Sequence, residues 1–422
     1  MAEPGFATRS IHAGAKPDPT THSRATPIYQ TTSYVFDNTD HAANLFGLKE
    51  FGNIYSRIMN PTNDVLEQRV AALEGGVAAL AVGSGHAAQH LALYTLLWPG
   101  DEVVAAHQLY GGTVNQFNHA FKKYGWGVKW ADATKPESFK PQITSKTKAI
   151  YVESIANPGG VISDLEPIAK IAHAAGVPLI VDNTLATPYL IRPIEWGADI
   201  VLHSATKFLG GHGNSIAGVI VDSGKFDWTS GKFPTLTDPN GSYHGLKFTE
   251  TFGNLAYILA TRVLGLRDLG PALSPFNAFL VLTGIETLPL RIQKHSDNAL
   301  IVAKWLQANP KVSWVNYAGL EGDANYARYQ KYSPKGAGSV FTFGVKGGFD
   351  AGKKLVNSVK LFSHLANIGD TRSLIIHPAS TTHSQLSKAE LIEAGASEDT
   401  VRLSIGLEDT ADIIADLEQG LA

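Results

Sequence analysis

The sequence predicts an α/β fold, with a large domain on a mostly parallel seven-stranded sheet and a smaller α/β domain after it. Three observations predict it. Seven short apolar runs recur between residues 78 and 222, each of strand length and bounded by polar turns. Segments of helical periodicity fit between several of them, the alternation that a parallel sheet requires. Residues with reactive or ligating side chains fall just after the runs, and ligands of such sheets bind at the carboxyl ends of strands.

The opening segment, 1–61, is rich in Thr, Pro, Asn and aromatic residues and reads as an extended arm. Since it precedes the core, a neighbouring subunit is its expected docking surface. From Thr62 the pattern turns regular. Thr62 or Asn63 can cap a helix whose apolar face is Leu66, Val70 and Leu73, closed by Gly75-Gly76. Strands are expected at 78–82, 102–106, 127–131, 148–153, 178–182, 199–203 and 217–222, with helices at 85–97 and 165–175 among the connections. Residues 225–251 break the rhythm and read as a surface insertion. A helical pattern from about 275 to 307 then carries Ile285, Leu288, Ile292, His295, Ala299 and Val302 on one face. It leads to strands near 338–343 and 401–405. The expected division is an arm at 1–61, a large domain at 62–275 and a C-terminal domain at 276–422.

Composition excludes several classes of function. A formal charge of −3, with no Lys/Arg run beyond two residues, argues against a nucleic-acid track or a membrane patch. The absence of cysteine excludes disulfides, thiolate metal sites and a cysteine nucleophile. No apolar segment approaches the roughly 20 residues that span a bilayer. Residues 1–24 lack a basic start followed by an apolar stretch, so no signal peptide is visible. A cytoplasmic protein is expected.

The chemistry starts at Lys207, in Ser204-Ala205-Thr206-Lys207-Phe208-Leu209-Gly210-Gly211-His212-Gly213. An amine delivered by a strand end into a hydroxyl- and glycine-rich loop can lose its proton on burial and form an imine with an aldehyde. Alone, a solvated surface lysine is the commoner outcome. Upstream, the run 179–182 ends in Asp182, before Asn183 and Thr184. An imine-forming lysine and a carboxylate for a pyridinium nitrogen are the pair that pyridoxal 5'-phosphate (PLP) needs.

Other motifs complete the set. Ser84-Gly85-His86 joins a strand to a helix, where N–H groups and the helix dipole suit a phosphate, although such turns also serve as plain connections. His86 and His90 are four apart, but Ala87 replaces the glutamate of a zinc-binding H-E-x-x-H, so no metal site is expected. Tyr55 and Arg57, on an extended strand, would share a face and offer a phenol and a guanidinium to a phosphate. Tyr110 follows a strand and can stack on a flat ring, or pack at a turn. Glu153 and Asn157 follow another strand. Asn157 can hydrogen-bond a ring hydroxyl or organise the turn before Pro158. Arg402, its stem in an apolar strand, suits a substrate carboxylate; an ion pair with Glu408 is the structural alternative.

These residues lie in Tyr55-Ser56-Arg57-Ile58-Met59-Asn60-Pro61-Thr62, Val181-Asp182-Asn183-Thr184, Ser204-Ala205-Thr206-Lys207 and Val401-Arg402-Leu403-Ser404-Ile405-Gly406-Leu407-Glu408. By them the chain resembles the Cys/Met-metabolism family of PLP enzymes, of the aspartate-aminotransferase-like fold type I. The likeness runs nearly from end to end. Gly210-Gly211-His212-Gly213-Asn214, the stretch 222–275 and Asn367-Ile368-Gly369-Asp370 look like its O-acetylhomoserine sulfhydrylase branch, with Arg372 where a lysine is more usual.

The resemblance implies that Lys207 binds the cofactor and shuttles protons, Asp182 pairs with the ring nitrogen and Tyr110 stacks on the ring and assists catalysis. Gly85, His86, Ser204 and Thr206 would hold the phosphate, and Thr184 would belong to the cofactor site. Tyr55 and Arg57 would reach the neighbouring subunit's phosphate. Arg402 and Asn367 would bind substrate, with Asn157 near both the ring oxygen and the substrate. The implied reaction is γ-replacement on O-acetyl-L-homoserine by sulfide or methanethiol, in a dimer with shared sites or a tetramer. The alternatives are a C–S γ-lyase, a cystathionine γ-synthase and, least favoured, a non-catalytic PLP-binding regulator.

Overall fold

A computed structural model describes residues 4–382, 384, 387–388, 391 and 395–422. Residues 1–3 of the expected arm lie outside the described residues. The seven apolar runs form one sheet: β1 (Ala78–Val82), β2 (Glu102–Ala106), β3 (Gly127–Ala131), β4 (Thr147–Glu153), β5 (Leu179–Asp182), β6 (Ile200–Ser204) and β7 (Gly218–Asp222). Their order is β1-β7-β6-β5-β4-β2-β3. β7 runs antiparallel to both its neighbours, and every other pair is parallel. The central strands are buried along almost their whole length, as a sheet covered on both faces requires. That double burial is why the runs read as continuously apolar.

The helix Pro61–Glu74 packs on β1 with Leu66, Val70 and Leu73 fully buried. Its cap is Asn60, not Thr62 or Asn63. The Asn60 side chain accepts from the Thr62 N–H at 3.0 Å. Pro61, whose ring presets the helical φ, takes the first helical position. Gly75 closes the helix at φ 81°, as expected.

Three other expectations need correction. The opening segment is not extended throughout. The helix Phe6–His12 docks on Pro61–Glu74, with Arg9 Nη1 donating to Ala72 O at 3.1 Å and Arg69 Nε to Ala13 O at 3.0 Å. A second helix, Thr39–Phe46, is capped by Asn38. Residues 225–251 are more than a surface insertion, because Trp228, Phe233, Leu236, Tyr243 and Phe248 are buried and anchor the excursion to the core. The pattern over 275–307 is two helices, Pro275–Glu286 and Leu288–Ala308, broken at Thr287 where Pro289 removes a helical donor. Its expected apolar face is buried.

The second sheet comprises β8 (Val312–Asn316), β9 (Val340–Val345), β10 (Ser363–His364), β11 (Leu374–Ile376) and β12 (Thr400–Ser404), in the order β10-β11-β12-β9-β8. β12 carries Arg402 towards the first sheet. No helix among the described residues is long and apolar enough to cross a membrane.

At the amino-terminal end of β6, Asp199 meets His173 at 2.8 Å. The hydrogen bond raises the His173 pKa above its ordinary 6.5, against the opposing effect of burial. Burial likewise pushes Asp199 up, and His173 offsets only part of that. A raised folded-state pKa stabilises the fold below the unfolded value and loses that contribution as pH rises through the folded value. The melting temperature of His173→Asn is therefore expected to trail wild type by more at pH 6 than at pH 9. An equal gap at both pH values would contradict an ionic bond.

Candidate active site

A cavity of about 260 Å³ opens at the carboxyl ends of the parallel strands, and β12 with the segment 366–368 closes its far side. Each strand end supplies it with a different function. After β1, Ser84 caps the helix Gly85–Tyr94, its Oγ accepting from the Ala87 N–H at 3.1 Å. Gly85 is required there: a Cβ would sit 2.7 Å from Ser204 Cβ. The first N–H groups of this helix therefore share the cavity with the Ser204 and Thr206 hydroxyls, a donor set for an anion. His86 stands in the same wall, edge-on to Tyr110 at 6.0 Å. His90 turns away into Tyr94, Phe121, Tyr124 and Trp126, so the two histidines do not converge.

Tyr110 follows β2 and is 48% exposed, its ring free to face a ligand. Its backbone is fixed, since its N–H donates to Glu153 Oε1 at 2.6 Å. Glu153, at the end of β4, accepts the Asn157 N–H on its other oxygen at 3.1 Å. Asp182 ends β5 and accepts from Thr184 N at 2.9 Å, while Thr184 Oγ1 accepts from Ser204 N at 2.8 Å. Neighbouring strand ends are thus tied together beneath the cavity.

Two acids lie side by side here, Glu153 buried and Asp182 half-buried. Burial pushes the Glu153 carboxyl well above its ordinary range, and the nearby Asp182 charge pushes it further. Burial also raises Asp182, against the Thr184 hydrogen bonds and the charges of His203 and His86. Such a floor favours a cation above it.

Lys207 lies in the loop after β6. Its amine loses affinity for a proton mainly through burial and secondarily through Arg402. Nζ donates to Asn367 Oδ1 at 2.5 Å. Arg402 donates to Asn157 Oδ1 at 3.1 Å and Asn367 O at 3.0 Å. Burial lowers its pKa to about 10, so it remains a cation at neutral pH. Among the described residues no carboxylate pairs with it. Glu408 accepts instead from Ser373 N and Oγ, at 2.6 and 2.9 Å, which overturns the ion-pair alternative. Arg372 points outward, 3.7 Å from Asp370.

The cavity gathers eleven residues singled out from the sequence: Gly85, His86, Tyr110, Asn157, Asp182, Thr184, Ser204, Thr206, Lys207, Asn367 and Arg402. Tyr55 and Arg57 are not among them. Tyr55 pairs with Ser33 in an isolated bridge and Arg57 lies in the turn that follows, not on one extended strand, the guanidinium 5.5 Å over the phenol ring and bonded to Arg267 O at 2.6 Å. Sequence reasoning noticed Glu153 but gave it no task. Its task is to hold two loops through their backbone N–H groups, and no motif marks that. Gln89 was missed altogether. Buried under the cavity, its Oε1 accepts from Tyr151 OH and Thr113 Oγ1, each at 3.2 Å.

Comparison with known proteins agrees with this geometry. The chain is 56% identical to an O-acetyl-L-homoserine sulfhydrylase of Leptospira meyeri, over 98% of this chain and 96% of that protein. It is also 56% identical to O-acetyl-L-homoserine sulfhydrylase 1 of Thermus thermophilus, over 99% and 100%. A crystal structure from Campylobacter jejuni, described as an O-acetylhomoserine (thiol)-lyase with N'-pyridoxyl-lysine-5'-monophosphate, matches with a TM-score of 0.96 and 41% identity over 99% of each chain. That match confirms the expected fold class. The pattern of one family spans residues 7–422, nearly the whole chain. The chain belongs to the Cys/Met metabolism family of PLP-dependent enzymes.

Proposed function

We propose that the protein catalyses γ-replacement on O-acetyl-L-homoserine, joining sulfide to Cγ and releasing acetate to give L-homocysteine; methanethiol in place of sulfide would give L-methionine. The observation that carries this reading is a half-buried Lys207, its hold on a proton weakened by burial, beside an arginine with which no carboxylate among the described residues pairs, above Asp182 and the buried Glu153. The site fits PLP. The helix start at Gly85 with Ser204 and Thr206 would take the phosphate, Lys207 the aldehyde and Asp182 the ring nitrogen. A protonated ring nitrogen would also supply the cation that the Asp182–Glu153 floor favours. When bound, the cofactor acts as an electron sink for carbanions beside the substrate's amino nitrogen.

The chain's own residues do the rest. Arg402 binds the substrate carboxylate through its planar fork of donors. This sets the Cα–H bond towards Lys207. Lys207, whose partial burial weakens its hold on a proton, takes the Cα proton and serves again in the transfer at Cβ. Loss of the Cβ proton lets acetate leave Cγ, sulfide adds there, and the protons return. Tyr110, held at the rim by Glu153, would stack on the cofactor's ring when it is bound, and its phenol can pass a proton at that edge.

A product assay tests the reading. Purified, PLP-loaded protein is incubated with O-acetyl-L-homoserine and sulfide, and separately with methionine alone. Homocysteine and acetate in the first arm are expected. Turnover only in the second, with 2-oxobutyrate and methanethiol, would make it a lyase.

The reading includes a homodimer with shared sites, in a cytoplasmic setting. Tyr55 and Arg57 border a groove of Tyr34, Phe36, Phe46 and Arg267, beside the exposed Val35, Phe46 and Phe51. Such an apolar rim suits a second subunit, whose phosphate Arg57 would reach. Arg57→Ala is expected to lose PLP on dialysis roughly tenfold more readily, as one charged hydrogen bond implies, while eluting as a dimer. Unchanged retention would remove Arg57 from the phosphate.

A further inference from the structure

One face of the helix Leu288–Ala308 grips both sides of the site. Arg291, His295 and Asn298 are four and three residues apart, so they share that face, and none is more than 5% exposed. Arg291 holds the two residues that follow Lys207. It donates from Nη1 to Phe208 O at 2.9 Å and from Nη2 to Leu209 O at 3.2 Å. It also reaches Gly284 O at 2.7 Å and Thr287 Oγ1 at 3.2 Å. Gly211 explains part of the glycine-rich run after Lys207: at φ 75°, a Cβ there would lie 2.1 Å from Arg291 Nη1. On the opposite flank, a Cβ at Gly369 would lie 2.7 Å from Phe208 N and 3.1 Å from Lys207 Cβ. The lysine's backbone is clasped from both sides.

The next two residues on the same face turn to the strand that bears Arg402. His295 Nδ1 donates to Ile405 O at 2.6 Å, and its ring stands edge-on to Phe208 at 5.4 Å. Asn298 Nδ2 donates to Gly406 O at 3.1 Å and Glu408 O at 2.9 Å. From Arg291 to Asn298 is two helical turns, about 10 Å. One rigid rod therefore fastens the Lys207 loop at one end and the continuation of β12 at the other.

Charge neutralisation does not explain Arg291. Among the described residues no carboxylate pairs with it, and burial leaves its pKa at about 10, still a cation at neutral pH. Its seat is made of carbonyl oxygens, one near the carboxyl end of Pro275–Glu286 where the helix dipole is negative. Several acceptors at fixed angles require the planar guanidinium fork, which a lysine lacks.

We propose that Arg291, His295 and Asn298 are positioning residues that set where Lys207 stands relative to Arg402, and so how a bound substrate presents its Cα–H bond. The inference rests on the roles proposed above for Lys207 and Arg402. A misplacement of about 1 Å at such a site costs on the order of a hundredfold in rate.

The test compares wild type, Arg291→Lys and Asn298→Ala as PLP-loaded enzymes, by steady-state kinetics and by hydrogen exchange read by mass spectrometry. Arg291→Lys is expected to lower kcat by roughly tenfold or more with KM nearly unchanged. It should speed exchange at Gly210 and Gly211, whose N–H groups donate to Ala205 O and Lys207 O. Asn298→Ala is expected to raise KM severalfold with a smaller change in kcat, and to speed exchange across 405–408. Should Arg291→Lys fail to fold, Thr287→Val removes the Nε partner, together with the Thr287 Oγ1 bond to Gly284 O at 3.3 Å, and is expected to move the same loop less far. Unchanged exchange in both segments, or an apparent kcat that falls only as far as the folded, PLP-binding fraction falls, would overturn the proposal. A wild type without sulfhydrylase turnover would sink the proposed reaction instead, and the exchange arm would still decide where the helix acts.

Discussion

Replacing Lys207 with alanine is expected to remove turnover by roughly three orders of magnitude or more, because one group serves both as the cofactor's covalent anchor and as the base. Fold stability is expected to survive. The amine is half-buried without a carboxylate partner among the described residues and its hydrogen bond is to Asn367, so the substitution breaks no ion pair and leaves one amide oxygen free. Thermal unfolding of the cofactor-free variant should match cofactor-free wild type within a few degrees. A variant that folds and keeps substantial activity would take Lys207 out of the chemistry.

The second large effect is expected at Arg402. Arg402→Met keeps much of the aliphatic volume on β12 and removes the fork that meets the substrate carboxylate. Losing one partner of a buried charge pair costs about 2–5 kcal/mol. A rise in KM for O-acetyl-L-homoserine of roughly thirtyfold or more is therefore expected. Arg402→Lys should recover only part of it, since a single ammonium cannot make both bonds. Because Asn157 and Asn367 O are neutral partners, their loss strands no charge, and the variant should still bind PLP. An unchanged KM would place the carboxylate elsewhere.

Much of this site could be read before any coordinates, for a definite reason. Strands of a parallel sheet are buried on both faces, so they leave apolar runs whose ends are easy to see, and Asp182, Ser204 and Lys207 stand at or just past such ends. Glycine was legible where the backbone must approach something, as at Gly85 against Ser204. What stayed hidden acts at a distance in sequence. Glu153 holds Tyr110 across 43 residues through a backbone N–H, and any residue except proline would offer one. Arg291 grips carbonyls 83 and 82 residues away, and in sequence it is one more polar residue in a helical stretch.

The errors have physical causes too. The opening segment looked extended because Phe6–His12 and Thr39–Phe46 are only 7 and 8 residues long, too short to sustain a period against the surrounding polar composition. Residues 225–251 read as a surface insertion because loops are usually exposed, yet Trp228 stacks on Tyr257 at 5.0 Å inside the core. For Tyr55 and Arg57, alternation correctly paired the two side chains, but a turn brings them together. Neither lines its own chain's cavity.

The most direct measurement is peptide mapping of the PLP-loaded protein after borohydride reduction. The account predicts a phosphopyridoxyl group on the peptide carrying Lys207, at close to one per chain, and none after Lys207→Ala. A reduced adduct on another lysine, with the Lys207 peptide unmodified, would contradict it.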